Sequence, residues 1–162
     1  MTGAGLPPLV AEITDGAVTW QRLDAIDYDV LGYFLSCHLI IEHYLDEYLK
    51  IRYPSLDWDA ARHTFGQKVA LLSSFKIDKY DCIPAIKHLN SLRNKLSHNI
   101  EFKIEAQDLV PLSQYLGTIY DNNTELPKDT KGILDSFTFM TCALFGGCIT
   151  SAAERTKLAR KA

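Results

Sequence analysis

Arg93 and His98 are separated by four residues in the run Leu92-Arg93-Asn94-Lys95-Leu96-Ser97-His98. An arginine fork suits phosphate oxygens and a histidine titrates near neutral pH, so the chemistry such a pair can do is phosphate-centred. RNA carries its own nucleophile, the 2′-hydroxyl, so a base and a charge stabiliser suffice for its cleavage without a metal. Asn90, Arg93, Asn94, Ser97 and His98 recur at helical spacing as one polar stripe. That stripe flanks the apolar one of Ile86, Leu89, Leu92 and Leu96. On an ideal helix Arg93 and His98 stand about 140° apart, so they converge only if Arg93 reaches across or the helix end distorts. Asn94 and His98, at i and i+4, meet directly, and Asn94 can orient the imidazole. Spacing leaves a structural alternative open, in which Arg93 makes a buried salt bridge and His98 serves the helix end electrostatically.

A second helix bears on this choice. Glu42 falls on an apolar stripe with Leu35 and Leu45, and a carboxylate there needs a partner. Arg93 is the natural candidate; a neighbouring lysine or a solvent edge is the alternative. His38, His43, His63 and His88 show no metal-ligand spacing and read as ordinary surface or helix-face histidines. No metal or cofactor is expected.

The elements that must position these groups are helical. Leu31, Phe34, Leu35, Ile41, Leu45 and Leu49 recur at helical spacing, which predicts a long helix from Tyr28 to Leu49 closed by Pro54. Asp57 or Asp59 caps a second helix reaching Phe75, with a face of Ala61, Phe65, Val69, Leu72 and Phe75. The third runs from about Tyr80 to His98 or Asn99, with Pro84 tolerated near its first turn. Asp108 to Tyr120 makes a fourth, Asp121-Asn122-Asn123 breaks it, and Asp129 or Thr130 starts a fifth that ends in a basic tail. Residues 1–20, with Gly3, Gly5, Pro7, Pro8 and Gly16, read as an irregular arm. Only Ile100 to Ile104 has any strand character. The expectation is an all-α fold: one domain over residues 21–162, an antiparallel bundle of four or five helices.

At 162 residues with 47% hydrophobic and 23% charged side chains, the chain has the composition of a globular domain with one core. A formal charge of −3 excludes a surface that grips nucleic acid everywhere through phosphate contacts, so any such role is local, in a cleft. Cys37, Cys82, Cys142 and Cys148 form no C-x-x-C pair and read as reduced thiols. The first residues lack the basic stretch and apolar run of a signal peptide, which points to the cytoplasm. Ile133 to Ala153 is apolar enough to need a membrane check, but Asp135, Ser136 and its threonines favour a buried terminal helix over a membrane span.

The run Leu89-Asn90-Ser91-Leu92-Arg93-Asn94-Lys95-Leu96-Ser97-His98-Asn99, with a polar residue after the arginine, resembles the HEPN superfamily, whose mark is an arginine followed four to six residues later by a histidine. Phe65 to Leu72 and the helix carrying Glu42 look like earlier HEPN helices, so the resemblance covers roughly residues 28–99. It implies a helical bundle that dimerises so that two copies of the motif face one cleft. It also implies a metal-independent endoribonuclease of the toxin or phage-defence kind, partnered by RNA, a second copy and an antitoxin or regulatory protein. In that reading Arg93 stabilises the scissile phosphate and His98 does acid-base chemistry. Asn94 supports the site, Glu42 orients Arg93, and Ser97 and Asn90 line the same stripe. Ile100 stands where some family toxins carry a modified tyrosine, so that mode of neutralisation is not implied. A non-catalytic HEPN module that binds RNA, a nucleotide or a protein is the alternative.

Overall fold

The computed structural model describes residues 10–20, 26–72, 80–99, 102–120 and 124–159. It is predominantly helical. Helix α1 spans Tyr28–Arg52, capped by the Asp27 carboxylate, which accepts from the Val30 amide at 3.0 Å. Its buried stripe is Phe34, Cys37, His38, Ile41, Leu45 and Leu49. Two short helices follow, α2 (Trp58–Ala61) and α3 (Phe65–Ala70). Helix α4 covers Ile83–His98, α5 Val110–Ile119 after a 3₁₀ turn at Ala106–Leu109, and α6 Thr130–Ala159.

The single helix expected from Asp57 to Phe75 is instead two, with Phe75 outside the described residues. Arg62 ends α2 in the left-handed region at φ 43, and Thr64 opens α3 with a capping box. The Gln67 amide donates to Thr64 Oγ1 at 3.3 Å, while the Thr64 amide donates to Gln67 Oε1 at 2.9 Å. Two orphan amides are thereby satisfied at once. Asp57 is the residue that caps α2, accepting from the Ala60 amide at 3.0 Å.

Helix α4 forms as its spacing predicts. Asp81 accepts from the Ile83 amide at 3.1 Å, Pro84 sits in the first turn where its missing N–H costs nothing, and Ile86, Leu89 and Leu92 are fully or almost fully buried. His88 Nε2 lies 2.6 Å from the Asp108 carbonyl oxygen and ties α4 to the turn before α5.

The antiparallel expectation holds for α1 against α4, where the start of α1 and the end of α4 line one cavity through Val30, Leu31 and Leu96. It fails for α1 against α6. Lys131 pairs with Asp29 and the Tyr33 hydroxyl donates to Asp135, both pairs 102 positions apart, and Tyr48 stacks near Phe145 at 5.5 Å. Pairing that advances in step along both chains makes these helices parallel neighbours. The intervening α4 and α5 return the chain to the starting end. Helix α6 buries Ile133, Leu134, Phe137 and Phe145. Its Thr130–Glu154 stretch is long and apolar enough to cross a membrane by length and composition, with 33% of that window buried.

Residues 10–20 are not irregular. They form a hairpin of β1 (Val10–Thr14) and β2 (Ala17–Trp20), with Ile13 opposite Val18. Asp15 and Gly16 both adopt positive φ, 51 and 79, as a two-residue hairpin turn requires. Ile13 and Val18 are exposed. Residues 102–104 carry no strand, while Ile100 and Glu101, like Asp121-Asn122-Asn123, lie outside the described residues. The four cysteines are free thiols, and burial pushes Cys82 up to about 12 and Cys142 up to about 11.

Candidate functional site

Three elements meet at a cleft of about 530 Å³. His38 and Glu42 come from α1, Thr64, Phe65 and Gly66 from the start of α3, and Asn90, Arg93 and Asn94 from α4. The Thr64 capping box fixes the entry into α3 and turns Phe65 inward, where its ring lies 4.3 Å from the His38 imidazole at a 38° tilt. On α4 the buried Leu89 and Leu92 anchor the helix against the core, so Asn90, Arg93 and Asn94 are presented on the adjoining face.

Four of the six expected site residues therefore come together: Glu42, Asn90, Arg93 and Asn94. Two do not. Helix α4 stays regular through His98, its last residue, so the helix end does not distort to bring the imidazole round. His98 is exposed and does not line the cleft. Ser97 is exposed and its hydroxyl donates to the Arg93 carbonyl oxygen of its own helix at 3.0 Å. Lys95 also faces elsewhere, with its ammonium 5.6 Å above the Phe102 ring.

No family model, curated protein or solved structure matches the chain.

Glu42 does not hold Arg93. Its Oε1 lies 2.8 Å from Lys68 Nζ, which also reaches Asp46 Oδ1 at 2.8 Å. The lysine side chain is only 13% exposed. Burial works against its ammonium, yet hydrogen bonds and charge from Asp46 and Glu42 outweigh that and hold its pKa above the ordinary value. Among the described residues Arg93 makes no ion pair, and its side chain is exposed. Its positive charge is not spent on any carboxylate among the described residues.

His38 is the residue that sequence reasoning passed over. Only 4% of it is exposed, and Nε2 has no hydrogen-bond partner among the described residues. Burial lowers its pKa; the Glu42 charge and hydrogen bonding with the Asn90 side chain oppose this, and the Arg93 charge adds to it. The imidazole is therefore neutral around pH 7. Its signal was present in the sequence, since Phe34, His38, Ile41 and Leu45 share one helical stripe. A guanidinium, two carboxamides and a buried neutral imidazole in its lining make a cleft suited to an anion that also offers hydroxyl or carbonyl groups.

Proposed function

We propose that this chain is a HEPN-like ribonuclease, cutting RNA by attack of the 2′-hydroxyl on the adjacent phosphate, with Arg93 as the group that binds and stabilises that phosphate. The observation that carries the reading is the Arg93 guanidinium on the wall of a polar cleft, without a carboxylate partner among the described residues. A cation so placed is suited to a phosphate fork. Glu42 belongs to the Lys68 cluster and does not orient Arg93, so Asn94 and Asn90 are left as the supports of the guanidinium.

His98 lies about 140° round α4 from Arg93, so in this reading the acid-base histidine serves a site shared between two copies. Leu35 and Leu39, 38% and 64% exposed, stand at i and i+4 on α1 and continue toward Glu42 on the same stripe. An exposed apolar pair on the helix that carries His38 and Glu42 supports a homodimer whose interface borders the site. The setting is intracellular, of the toxin or defence kind, with RNA as substrate and an antitoxin or regulatory protein to restrain it.

The position of His98 outside the cleft favours one second reading, a non-catalytic module that binds RNA or a nucleotide through Arg93 alone. The two separate when purified protein is incubated with total RNA in excess chelator beside Arg93→Ala and His98→Ala. Cleavage lost in both variants supports the nuclease. Binding lost only in Arg93→Ala, with no cleavage by any form, supports the module.

A further inference from the structure

An imidazole buried to 96% with an unpaired nitrogen is costly to keep, because a buried polar atom without a partner forfeits the hydrogen bonds it made in water. His38 is held in this state from several sides. Phe65 packs on its ring at 4.3 Å, and Asn90 and Arg93 line the cleft with it from α4. The carboxylates nearest to it are not free to serve Nε2, since Glu42 and Asp46 are both engaged by Lys68. His38 and Arg93 therefore line the same cleft, the Arg93 side chain exposed and the His38 Nε2 just beneath the surface, without a hydrogen-bond partner among the described residues.

We infer that His38 is a second phosphate-contacting residue of the cleft, its Nε2–H donating to an oxygen of the same phosphate that Arg93 holds. This rests on the proposed function for the nature of the ligand, an RNA phosphate, but adds a contact that the polar stripe of α4 does not contain. Neutral imidazole in the Nε2–H tautomer donates one hydrogen bond without bringing a second full charge beside Arg93. Anion binding then stabilises the protonated ring. Facing it are Glu42 on the same helix, the Lys68 ammonium that neutralises Glu42 from α3, and Arg93 from α4; of these only Arg93 gains a partner when phosphate enters.

The test follows the His38 ring resonances by NMR, assigned by their disappearance in His38→Phe, while full-length protein is titrated with inorganic phosphate, a nucleoside 3′-monophosphate and a DNA oligonucleotide that has no 2′-hydroxyl. The expected result is a saturating shift with each probe and a raised His38 pKa in the bound state. Affinity should fall about tenfold in His38→Phe and be kept in His38→Gln, whose amide places a donor near the same point. Circular dichroism and thermal unfolding of both variants establish that the fold persists. A silent His38 with Arg93-dependent RNA binding intact overturns this inference and leaves the proposed function standing. Absence of binding by RNA and by all three probes overturns both.

Discussion

Lys68, and not Arg93, holds Glu42: the ammonium lies 2.8 Å from Glu42 Oε1 and reaches Asp46 with the same side chain. One cation thereby satisfies two carboxylates, and Arg93 on the facing helix is released from an internal duty. The consequence for stability is direct. Lys68→Met leaves two carboxylates side by side without a counter-charge and should cost about 1–3 kcal/mol at neutral pH, between the values for exposed and buried pairs. Because the folded pKa of Lys68 lies above its ordinary value of 10.5, this contribution is complete below that pH and is lost as pH rises through the folded value. Denaturant unfolding of native and Lys68→Met protein between neutral and strongly alkaline pH checks it. A gap that does not narrow at the alkaline end contradicts it.

His38 works in the opposite direction. Burial lowers its folded pKa below the ordinary value of 6.5, so the unfolded chain binds the proton more readily. The stability conferred by a neutral His38 is present above that pH and declines as pH falls through it toward the folded value. His38→Phe should remove this part of the acid sensitivity. The check is the unfolding free energy of both proteins from pH 7 to pH 5, where the native curve should fall more steeply. Parallel curves would show that the imidazole is not protonated at a cost.

Adjacent residues on α4 should respond oppositely to truncation. Leu92 is 1% exposed, and Leu92→Ala opens a cavity worth about 2–5 kcal/mol. Arg93 is exposed and without an ion pair among the described residues, so Arg93→Ala should change stability by no more than about 0.5 kcal/mol. Chemical denaturation of both variants measures this. A large loss in Arg93→Ala would mean that the guanidinium is a structural group after all.

The exposed pair Leu35 and Leu39 gives the proposed dimer a specific weak point. Leu39→Glu puts a charge where a second copy is expected to pack and should shift the protein to monomer in sedimentation equilibrium, with the helical content of the chain retained. An unchanged association state, or a monomeric native protein, would remove the shared-site role of His98.

Much of this architecture was readable from periodicity. Phe34, Ile41, Leu45 and Leu49 mark the buried face of α1, and Ile86, Leu89 and Leu92 that of α4, because burial on one face imposes a 3.6-residue period. The break at Arg62 was not readable, since the left-handed residue there is not glycine and the apolar spacing runs on across it. The hairpin was not legible although Asp15-Gly16 is a strong turn signal, because the neighbouring glycines and prolines carry the composition of an irregular arm. That Asn90, Arg93, Asn94 and Glu42 lie together was legible from type and spacing. The partner of Glu42 was not, because Lys68 is 26 positions away and a local pattern does not rank distant cations. His38 was visible only as a histidine at a core position, and what distinguishes it is a buried nitrogen without a hydrogen-bond partner among the described residues.

The most direct test of Arg93 as the phosphate-binding group of a ribonuclease is the rate of cleavage of a defined RNA in excess chelator by native protein, Arg93→Ala and His98→Ala, each shown to be folded. The expected result is cleavage by the native protein to a 2′,3′-cyclic phosphate end, reduced at least about a hundredfold in either variant, the scale of a lost charge stabiliser or acid-base group. Cleavage by Arg93→Ala at the native rate would contradict it, as would a native protein that leaves RNA intact.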